Sequence, residues 1–196
     1  MDTLKSLPVA IVGAGSVGLA AAAHLMIRNQ PFILFESGDT VAKSILSWKH
    51  IRIFSPWRYN IDHAARKLLN ASRWQAPDDS GLPTGEELYF QYFKPLSELH
   101  FLNTHSKLNT KVISIGRKGT DKMKTSGRTE VPYLIQALQA GEVKQYEVKA
   151  VIDASGTWDN PNPIGSGGTY AVGNYHYNST QAGSKPIGPQ TVVNRI

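Results

Sequence analysis

The sequence contains no cysteine. This absence excludes a disulfide framework, a thiolate metal site and any redox-active pair of thiols. Apolar residues make up 41% of the 196 positions, which is ordinary for a globular protein. A chain of this length can form one hydrophobic core and a small second unit. The composition therefore indicates a soluble globular chain.

The sequence also lacks a concentrated stripe of basic residues. Lysine and arginine outnumber aspartate and glutamate by 21 to 15, which gives a net charge of +6, but they are scattered. The densest patch, Arg117 to Arg128, is interrupted by small residues such as Gly119 and Gly127, which is typical of a solvated loop. Because a nucleic-acid interface needs basic residues along one element, we expect no nucleic-acid partner. The charge can still attract anionic cofactors.

No charged residue occurs between Leu7 and Ile27. Uncharged apolar runs of this kind are also found in signal peptides and membrane spans. Four glycine or proline residues precede Leu19, and the polar Ser16 and His24 interrupt the run further. These interruptions favour a folded segment over a targeting segment. We therefore expect a cytoplasmic protein with no membrane partner.

The same region carries a dinucleotide-binding pattern. Pro8 to Val12 is a short apolar run that predicts a buried strand, and Phe32 to Phe35 predicts a second one. Between them, Gly13, Gly15 and Gly18 are spaced as G-x-G-x-x-G, in the strand–turn–helix–strand context that the motif needs. The first glycine permits the tight turn, the second lets the backbone approach a pyrophosphate, and the third lets the helix pack on the strand.

A helix from Ser16 to Arg28 is predicted after the turn. Its start presents free N–H groups and the positive end of its dipole, which suits a phosphate. Val17, Ala21 and Leu25 recur every four positions and predict its apolar face. Glu36 directly follows the second strand, where a carboxylate accepts hydrogen bonds from a ribose 2′-OH. Because a 2′-phosphate would be repelled, this acid disfavours NADP at the site.

The segment from residue 48 to 62, "WKHIRIFSPWRYNID", concentrates aromatic and basic side chains. In one interpretation, aromatic anchors pin a surface loop to the core. In the other, Trp48 and Trp57 wall an isoalloxazine ring while Arg52 or Arg58 meets a phosphate or a flavin carbonyl. The sequence favours neither interpretation over the other.

Residues 83–99 predict a helix with a defined start. Thr84 and Glu87 have the spacing of a capping box. Pro95 lies inside the helix and should disturb it near Gln91. The apolar stripe predicts core packing and consists of Leu88, Tyr92, Leu96 and Leu99.

The second half of the chain predicts strands. Residues 111–117, 131–138 and 143–148 have strand-like composition, and Ala140-Gly141 predicts the turn of a hairpin. Ala150 to Asp153 predicts a last strand that lies parallel beside the first. The predicted fold class is therefore α/β: a Rossmann-like parallel sheet, with an antiparallel three-stranded meander covering one face.

The last strand leads into Asp153-Ala154-Ser155-Gly156-Thr157, whose small residues let a cofactor come close. This segment resembles the A-T-G segment of two-dinucleotide-binding flavoproteins, and the glycine pattern with Glu36 resembles their FAD fingerprint. "HIRIFSPWRYNID" and "LPTGEEL" resemble a bacterial branch of monooxygenase-like flavoproteins. In this order, the motifs make residues 7–164 similar to the flavin-containing monooxygenase-like members of the FAD/NAD(P)-dependent oxidoreductase superfamily.

The resemblance implies FAD at the first site and, in the full-length family, NAD(P)H as the reductant. The flavin would carry the redox chemistry, and the protein would supply position and water exclusion. No catalytic residue and no metal ligand is assigned. The residues implied to contact FAD are Gly13, Gly15, Ser16, Val17, Gly18, Glu36, Ser37, Trp48, Arg52, Val112, Ala154, Ser155 and Gly156.

The last part of the sequence departs from the family. Flavoproteins of this kind have a second G-x-G-x-x-G in a nicotinamide-binding domain, which needs about 100 further residues. Residues 164–196 are rich in glycine, serine, asparagine and proline and predict an irregular tail. We expect one FAD-binding domain, residues 1–163, and a partial enzyme. NAD(P)H would then bind only if a second domain or a partner chain supplies the site.

Two other functions stay open. A single-domain NAD-dependent dehydrogenase or reductase would use the same glycines, because Glu36 suits either adenosine ribose. Against it, no Tyr-x-x-x-Lys or catalytic His–Asp arrangement stands out. A non-catalytic flavin-binding module would keep the core without turnover. The substrate is expected to be a small molecule that the sequence does not identify, and a homo-oligomer or partner chain would complete the pocket.

The first testable prediction concerns activity. We expect the isolated 196-residue chain to bind FAD weakly at best and to show no NADPH-dependent oxygenase activity, because one fingerprint cannot hold two dinucleotides. The measurement follows NADPH oxidation with candidate amines and sulfides after FAD is added. Stoichiometric product at a normal enzymatic rate, about 1 per second or faster, would contradict this expectation.

Overall fold

The computed structural model describes residues 2–121, 123 and 126–157. Residues 2–156 belong to one compact unit. The irregular tail predicted for residues 164–196 lies outside the described residues.

Helices and strands alternate along the first half of the chain, and strands dominate the second half. The strands are β1 (Val9–Val12), β2 (Phe32–Phe35), β3 (Ser106–Lys107), β4 (Thr110–Arg117), β5 (Tyr133–Gln139), β6 (Glu142–Val148) and β7 (Ala150–Asp153). The α-helices are α1 (Asp2–Ser6), α2 (Ser16–Ile27), α3 (Lys43–Leu46), α4 (Trp57–Asn60), α5 (His63–Asn70), α6 (Gly85–Leu88), α7 (Lys94–Glu98) and α8 (His100–His105). A π-helical segment covers Tyr89–Phe93, and a 3₁₀ turn covers Arg128–Glu130.

The parallel sheet has the strand order β3-β2-β1-β7. Val9 pairs with Phe32 on one side and with Ala150 on the other, and both pairings are parallel. The predicted neighbourhood of the first, second and last strands is therefore confirmed. The fourth strand, β3, was not predicted, because its two residues, Ser106 and Lys107, carry no apolar pattern.

Side chains of β1 alternate between the two faces of this sheet, as a strand period of two requires. Val9 and Ile11 join the large core formed with the helices. Ala10 instead packs in a second cluster with Phe35 of β2 and Val148 of the meander. The antiparallel meander, in the order β4-β5-β6, therefore covers one face of the parallel sheet, as predicted.

The hairpin between β5 and β6 turns at Ala140 and Gly141. Both residues have positive φ angles, +51° and +84°, which is the conformation that two-residue hairpin turns with strand-matching twist adopt. The predicted turn is confirmed.

The face that α2 buries was predicted in part: Ala21 and Leu25 pack against the core, but Val17 does not. The fully buried positions are Gly18, Leu19, Ala22 and Ala23, whereas Val17 is 66% exposed. Almost every position of this helix is apolar, so the sequence alone offered no contrast between faces. The contact of Gly18 with the turn below it sets the rotation of the helix instead.

The helix predicted over residues 83–99 is one continuous helical run, Gly85–Glu98, in which the π-helical segment separates α6 from α7. The π-helical segment surrounds Gln91, where the missing N–H of Pro95 and the clash of its ring were expected to disturb the helix. At its start, the side chain of Thr84 accepts a hydrogen bond from Glu87 N at 3.1 Å, and Glu87 Oε2 accepts one from Thr84 N at 2.7 Å. The predicted capping box is confirmed, and the backbone bond from Thr84 holds the pKa of Glu87 below its usual value.

Replacing Thr84 with alanine should lower the free energy of unfolding by about 1 kcal/mol, because an N-cap bond to the first turn is lost. Urea denaturation measures the change. Thr104→Ala is the matched control, because that hydroxyl only bonds back to His100 O within α8 at 2.7 Å. Equal losses in the two variants would show that the capping box adds no stability of its own.

Candidate functional site

The turn after β1 is held against the end of β7. Gly13 has φ +95°, and a Cβ placed there would lie 2.6 Å from Ala154 O and 2.9 Å from Ser155 Cα. Both the positive φ and the neighbouring backbone exclude a side chain. The tight turn predicted for Gly13 is therefore required by the chain itself.

Gly18 lets α2 approach this turn closely. A Cβ on Gly18 would lie 1.8 Å from Gly13 O and 3.5 Å from Cγ2 of Ile11. Real Cβ atoms do not come so close, so the helix would have to move away from the strand. Helix α2 sits in its observed position because the residue there is glycine.

Gly15 differs from both of these glycines. Its φ and ψ, −76° and −169°, are extended backbone that other residues adopt. A Cβ there would meet no atom of the described residues within 4 Å. Neither backbone strain nor a steric contact in the described fold requires glycine at this position.

The open space beside Gly15 lies at the start of α2. Gly15 is the N-cap of that helix, and within the described part of the chain no side chain caps it and its first turn contains no acid. The first N–H groups of a helix and its dipole attract an anion. Val17, in the first turn, is exposed, so the helix start faces outward.

Glu36 connects the end of β2 to this turn. Its Oε2 accepts a hydrogen bond from Ala14 N at 2.7 Å, and its Oε1 accepts one from Gly38 N at 2.7 Å and one from the Ser37 hydroxyl at 3.4 Å. The side chain is half-buried. The structure thus brings the predicted acid to within hydrogen-bond distance of the glycine-rich turn, with Ser37 exposed beside it.

Two further sets of backbone hydrogen bonds, which the sequence did not reveal, hold the backbone of Ala14 and of Glu36 in place. Ala14 O accepts a hydrogen bond from Ala42 N at 2.9 Å, so both polar groups of the Ala14 residue are occupied. Glu36 N donates to Lys107 O, and Glu36 O accepts from Thr110 N. These are backbone contacts between distant segments, and no side-chain pattern signals them.

Ala154, Ser155 and Gly156 continue from β7 along the same edge of the sheet. Ala154 N donates to Val12 O at 2.8 Å. Ser155 donates to Asp153 Oδ1 from both its hydroxyl and its N–H, and these bonds lower the pKa of the Asp153 carboxyl. Ser155 and Gly156 are exposed. Three of the predicted contact residues therefore lie at the edge where the glycine turn lies.

The aromatic segment, residues 48–62, is anchored to the core. This corrects the interpretation in which both of its tryptophans wall an isoalloxazine ring. Trp57 is 5% exposed and belongs to the main core, so it cannot wall a flavin. Trp48 is half-buried, and a Cβ on Gly85 would come within 2.8 Å of its ring. That contact accounts for one side of Trp48, and its predicted role beside a cofactor stays a prediction.

Both arginines of this segment are exposed and have partners within the chain. Arg52 donates to Leu82 O and lies 3.9 Å from the carboxylate of Glu87. The guanidinium of Arg58 lies 4.8 Å from the ring centre of Tyr59. These contacts hold the loop in place. If Arg52 contacted FAD, its guanidinium would have to give up or share its contacts with Leu82 O and Glu87.

Val112 lies in β4 and is half-buried against the second cluster, which includes Phe35 and Ala137. Its side chain contributes to packing beneath the meander. The predicted contact of Val112 with a cofactor stays a prediction.

No protein family model matches the chain. No curated protein sequence matches it either.

Solved structures do match. Bacillithiol disulfide reductase Bdr from Bacillus cereus is 18% identical, with a TM-score of 0.60 over 81% of this chain. A cyclohexanone monooxygenase variant from Rhodococcus sp. Phi1, bound to NADP⁺, is 17% identical, with a TM-score of 0.57 over 76%. The enzyme OTEMO, in complex with FAD and NADP, is 16% identical, with a TM-score of 0.55 over 76%.

The chain has a fold found within these oxidoreductases. It spans 42% of the reductase, 26% of the cyclohexanone monooxygenase and 25% of OTEMO. The predicted Rossmann-like α/β class is confirmed by this likeness, as by the two sheets. At such identity the likeness concerns the fold.

Within the described part of the chain, no helix is long and apolar enough to cross a membrane.

Gly18 and Gly15 should respond differently to an added methyl group. Gly18→Ala should destabilise the fold by about 1–3 kcal/mol, because its Cβ overlaps a carbonyl oxygen. Gly15→Ala should destabilise it by less than about 1 kcal/mol, since its Cβ meets open space and only the N-cap preference for glycine over alanine is lost. Chemical denaturation of both variants measures this, and a Gly15→Ala variant as unstable as Gly18→Ala would contradict the open site.

Proposed function

We propose that this protein binds FAD at the Gly13–Gly18 turn and Glu36, and that it serves an NAD(P)H-linked oxidoreductase of the flavin monooxygenase-like type. The observation that carries the proposal is Gly15. The fold explains Gly13 and Gly18, but it leaves the space beside Gly15 open. A pyrophosphate that approaches the backbone would account for that glycine.

The residues at this edge fit two parts of an ADP group, the pyrophosphate and the ribose. The uncapped start of α2 offers N–H groups and a positive dipole end to the pyrophosphate. Glu36 already accepts two backbone bonds of 2.7 Å, and a carboxylate has about four acceptor positions. It can therefore accept ribose hydroxyls without releasing Ala14, and its charge disfavours a 2′-phosphate.

The cofactor would supply electron transfer, and this chain would bind and orient it. Ala154, Ser155 and Gly156 would approach the cofactor from β7, because they share the edge with the turn. The clamp on Ala14, from Glu36 on one side and Ala42 on the other, keeps the turn in position before the cofactor arrives. Less rearrangement is then needed on binding.

The fold likeness supports this proposal. OTEMO is described in complex with FAD and NADP, and the cyclohexanone monooxygenase in complex with NADP⁺. The described residues of this chain contain a single G-x-G-x-x-G turn. We therefore place any NAD(P)H site outside these residues, or on a partner chain, and expect a small-molecule substrate.

NAD at the same turn is the competing function, since Glu36 suits the adenosine ribose of either molecule. Titration with FAD and with NAD⁺, followed by flavin fluorescence quenching and by competition, separates them. We expect FAD to bind and NAD⁺ to displace it poorly. Displacement of FAD by NAD⁺ at lower concentrations would favour the dehydrogenase.

A matched pair of variants locates the site. Gly15→Val should weaken FAD binding by at least about tenfold, or 1.4 kcal/mol, because the side chain fills the space assigned to the pyrophosphate. Gly116→Val is the control, since a Cβ at that exposed position of β4 also meets no neighbour. Unchanged FAD affinity in Gly15→Val would show that the cofactor binds elsewhere.

A further inference from the structure

A cluster of two histidines and an aspartate lies away from the glycine turn. His24 is on α2, eight residues after its start at Ser16, which corresponds to about 12 Å along the helix. Asp62 is the N-cap of α5, and His63 is the first residue of that helix. The cluster joins the two helices and takes no part in the proposed FAD site.

The ligand atoms of these three side chains converge. His24 Nε2 lies 3.1 Å from Asp62 Oδ2, and His63 Nδ1 lies 3.8 Å from the same oxygen. One ligand atom from each residue falls within 4.8 Å of the other two. The two imidazole rings meet edge to face, with centres 4.7 Å apart. Small rotations of the side chains would let all three reach one ion at bond lengths near 2.0–2.2 Å.

Asp62 divides its two oxygens between two tasks. Oδ1 accepts from Ala64 N at 2.9 Å and Ala65 N at 3.1 Å, which caps α5. Oδ2 is directed to the two histidines. Burial raises the pKa of this carboxyl, but the bonds from Ala65, His24 and Ala64 outweigh burial and lower it. A fixed, ionised carboxylate oxygen therefore faces both imidazoles.

The exposure of the three side chains permits an ion to enter. The side chains of His24 and Asp62 are 29% and 23% exposed, whereas that of His63 is 81% exposed. Two ligands are thus held by the fold, and the third is free to rotate toward an ion. Water would complete the coordination shell on the open side.

We propose that His24, Asp62 and His63 form a binding site for a divalent transition-metal ion of the Zn²⁺ class. Two imidazoles and one carboxylate suit Zn²⁺, Ni²⁺, Co²⁺ or Cu²⁺, whereas Ca²⁺ and Mg²⁺ prefer all-oxygen shells. The bound ion would fasten α5 to the C-terminal half of α2.

Arg28 competes with the ion for His24. Its guanidinium contacts His24 Nδ1 at 3.0 Å and His24 O at 3.0 Å. Arginine is always a donor, so His24 Nδ1 is the acceptor and the ring proton sits on Nε2. Metal binding at Nε2 requires the other tautomer, with the ring proton on Nδ1, and the exposed Arg28 must then turn away. Removing Arg28 should therefore tighten binding.

The test is calorimetric titration of the full chain, without an affinity tag, with ZnCl₂ alone. We expect saturable binding that MgCl₂ does not compete away. His63→Ala and His24→Ala should each weaken Zn²⁺ binding by at least about tenfold, because even loss of an outer partner of a ligand costs 10–100-fold. His63→Ala is the safer variant for folding, since that side chain is mostly exposed.

His100→Ala is the matched control, because His100 is exposed at the start of a different helix, α8. It should leave the Zn²⁺ affinity unchanged, and Arg28→Gln should raise it. Equal affinities in the parent, His63→Ala and His24→Ala would overturn the site, as would a failure of ZnCl₂ to bind. An affinity that Arg28→Gln does not raise would overturn Nε2 of His24 as a ligand atom.

Discussion

The contact between Gly18 and Gly13 O is the constraint on which the rest of the described fold depends. A Cβ at Gly18 would stand 1.8 Å from that oxygen, so α2 packs on the turn at a distance that only glycine allows. This contact fixes the rotation of a helix whose sequence is apolar on nearly every side. It buries Leu19 and Ala22 and leaves Val17 exposed. The helix start consequently points at the open edge of the sheet.

The same edge gathers groups from three strands. The turn after β1, Glu36 after β2, and Ala154 to Gly156 after β7 all lie at the carboxyl ends of parallel strands. This is where open α/β sheets bind ligands. The Ala14 clamp ties two of these segments together through a side chain and a backbone group. The proposed cofactor site is thus built before any cofactor is bound, largely by contacts that also hold the fold together.

The two proposed sites use α2 in different ways. Its start has no side-chain cap among the described residues, and a Cβ on Gly15 would meet open space there. Further along α2, the side chain of His24 lies beside those of Asp62, the N-cap of α5, and His63, its first residue. The metal site does not depend on FAD, and a failed FAD titration would leave the proposed metal site intact. An ion there would stiffen the packing of α5 on α2, which the structure already joins through the bond between His24 and Asp62.

The sequence by itself determined three of the four parallel strands, the glycine turn, the capping box and the meander. Each of these follows from local rules: β-branched runs, glycine spacing, the Thr84–Glu87 pair and the Ala140-Gly141 turn. It also placed Glu36 correctly beside the turn, since a strand of fixed length delivers its last residue to a fixed edge.

Only the tertiary structure decided which face α2 buries, that Trp57 belongs to the core, and that β3 pairs with β2. Each of these depends on contacts between segments far apart in the chain. A uniformly apolar helix has no preferred face until something packs against it, and an aromatic residue in a loop packs equally well inward or onto a ligand. The convergence of His24 with Asp62 and His63 has the same origin. His24 and Asp62 are 38 positions apart in the chain, and the packing of two helices, which no local spacing records, brings them into one site.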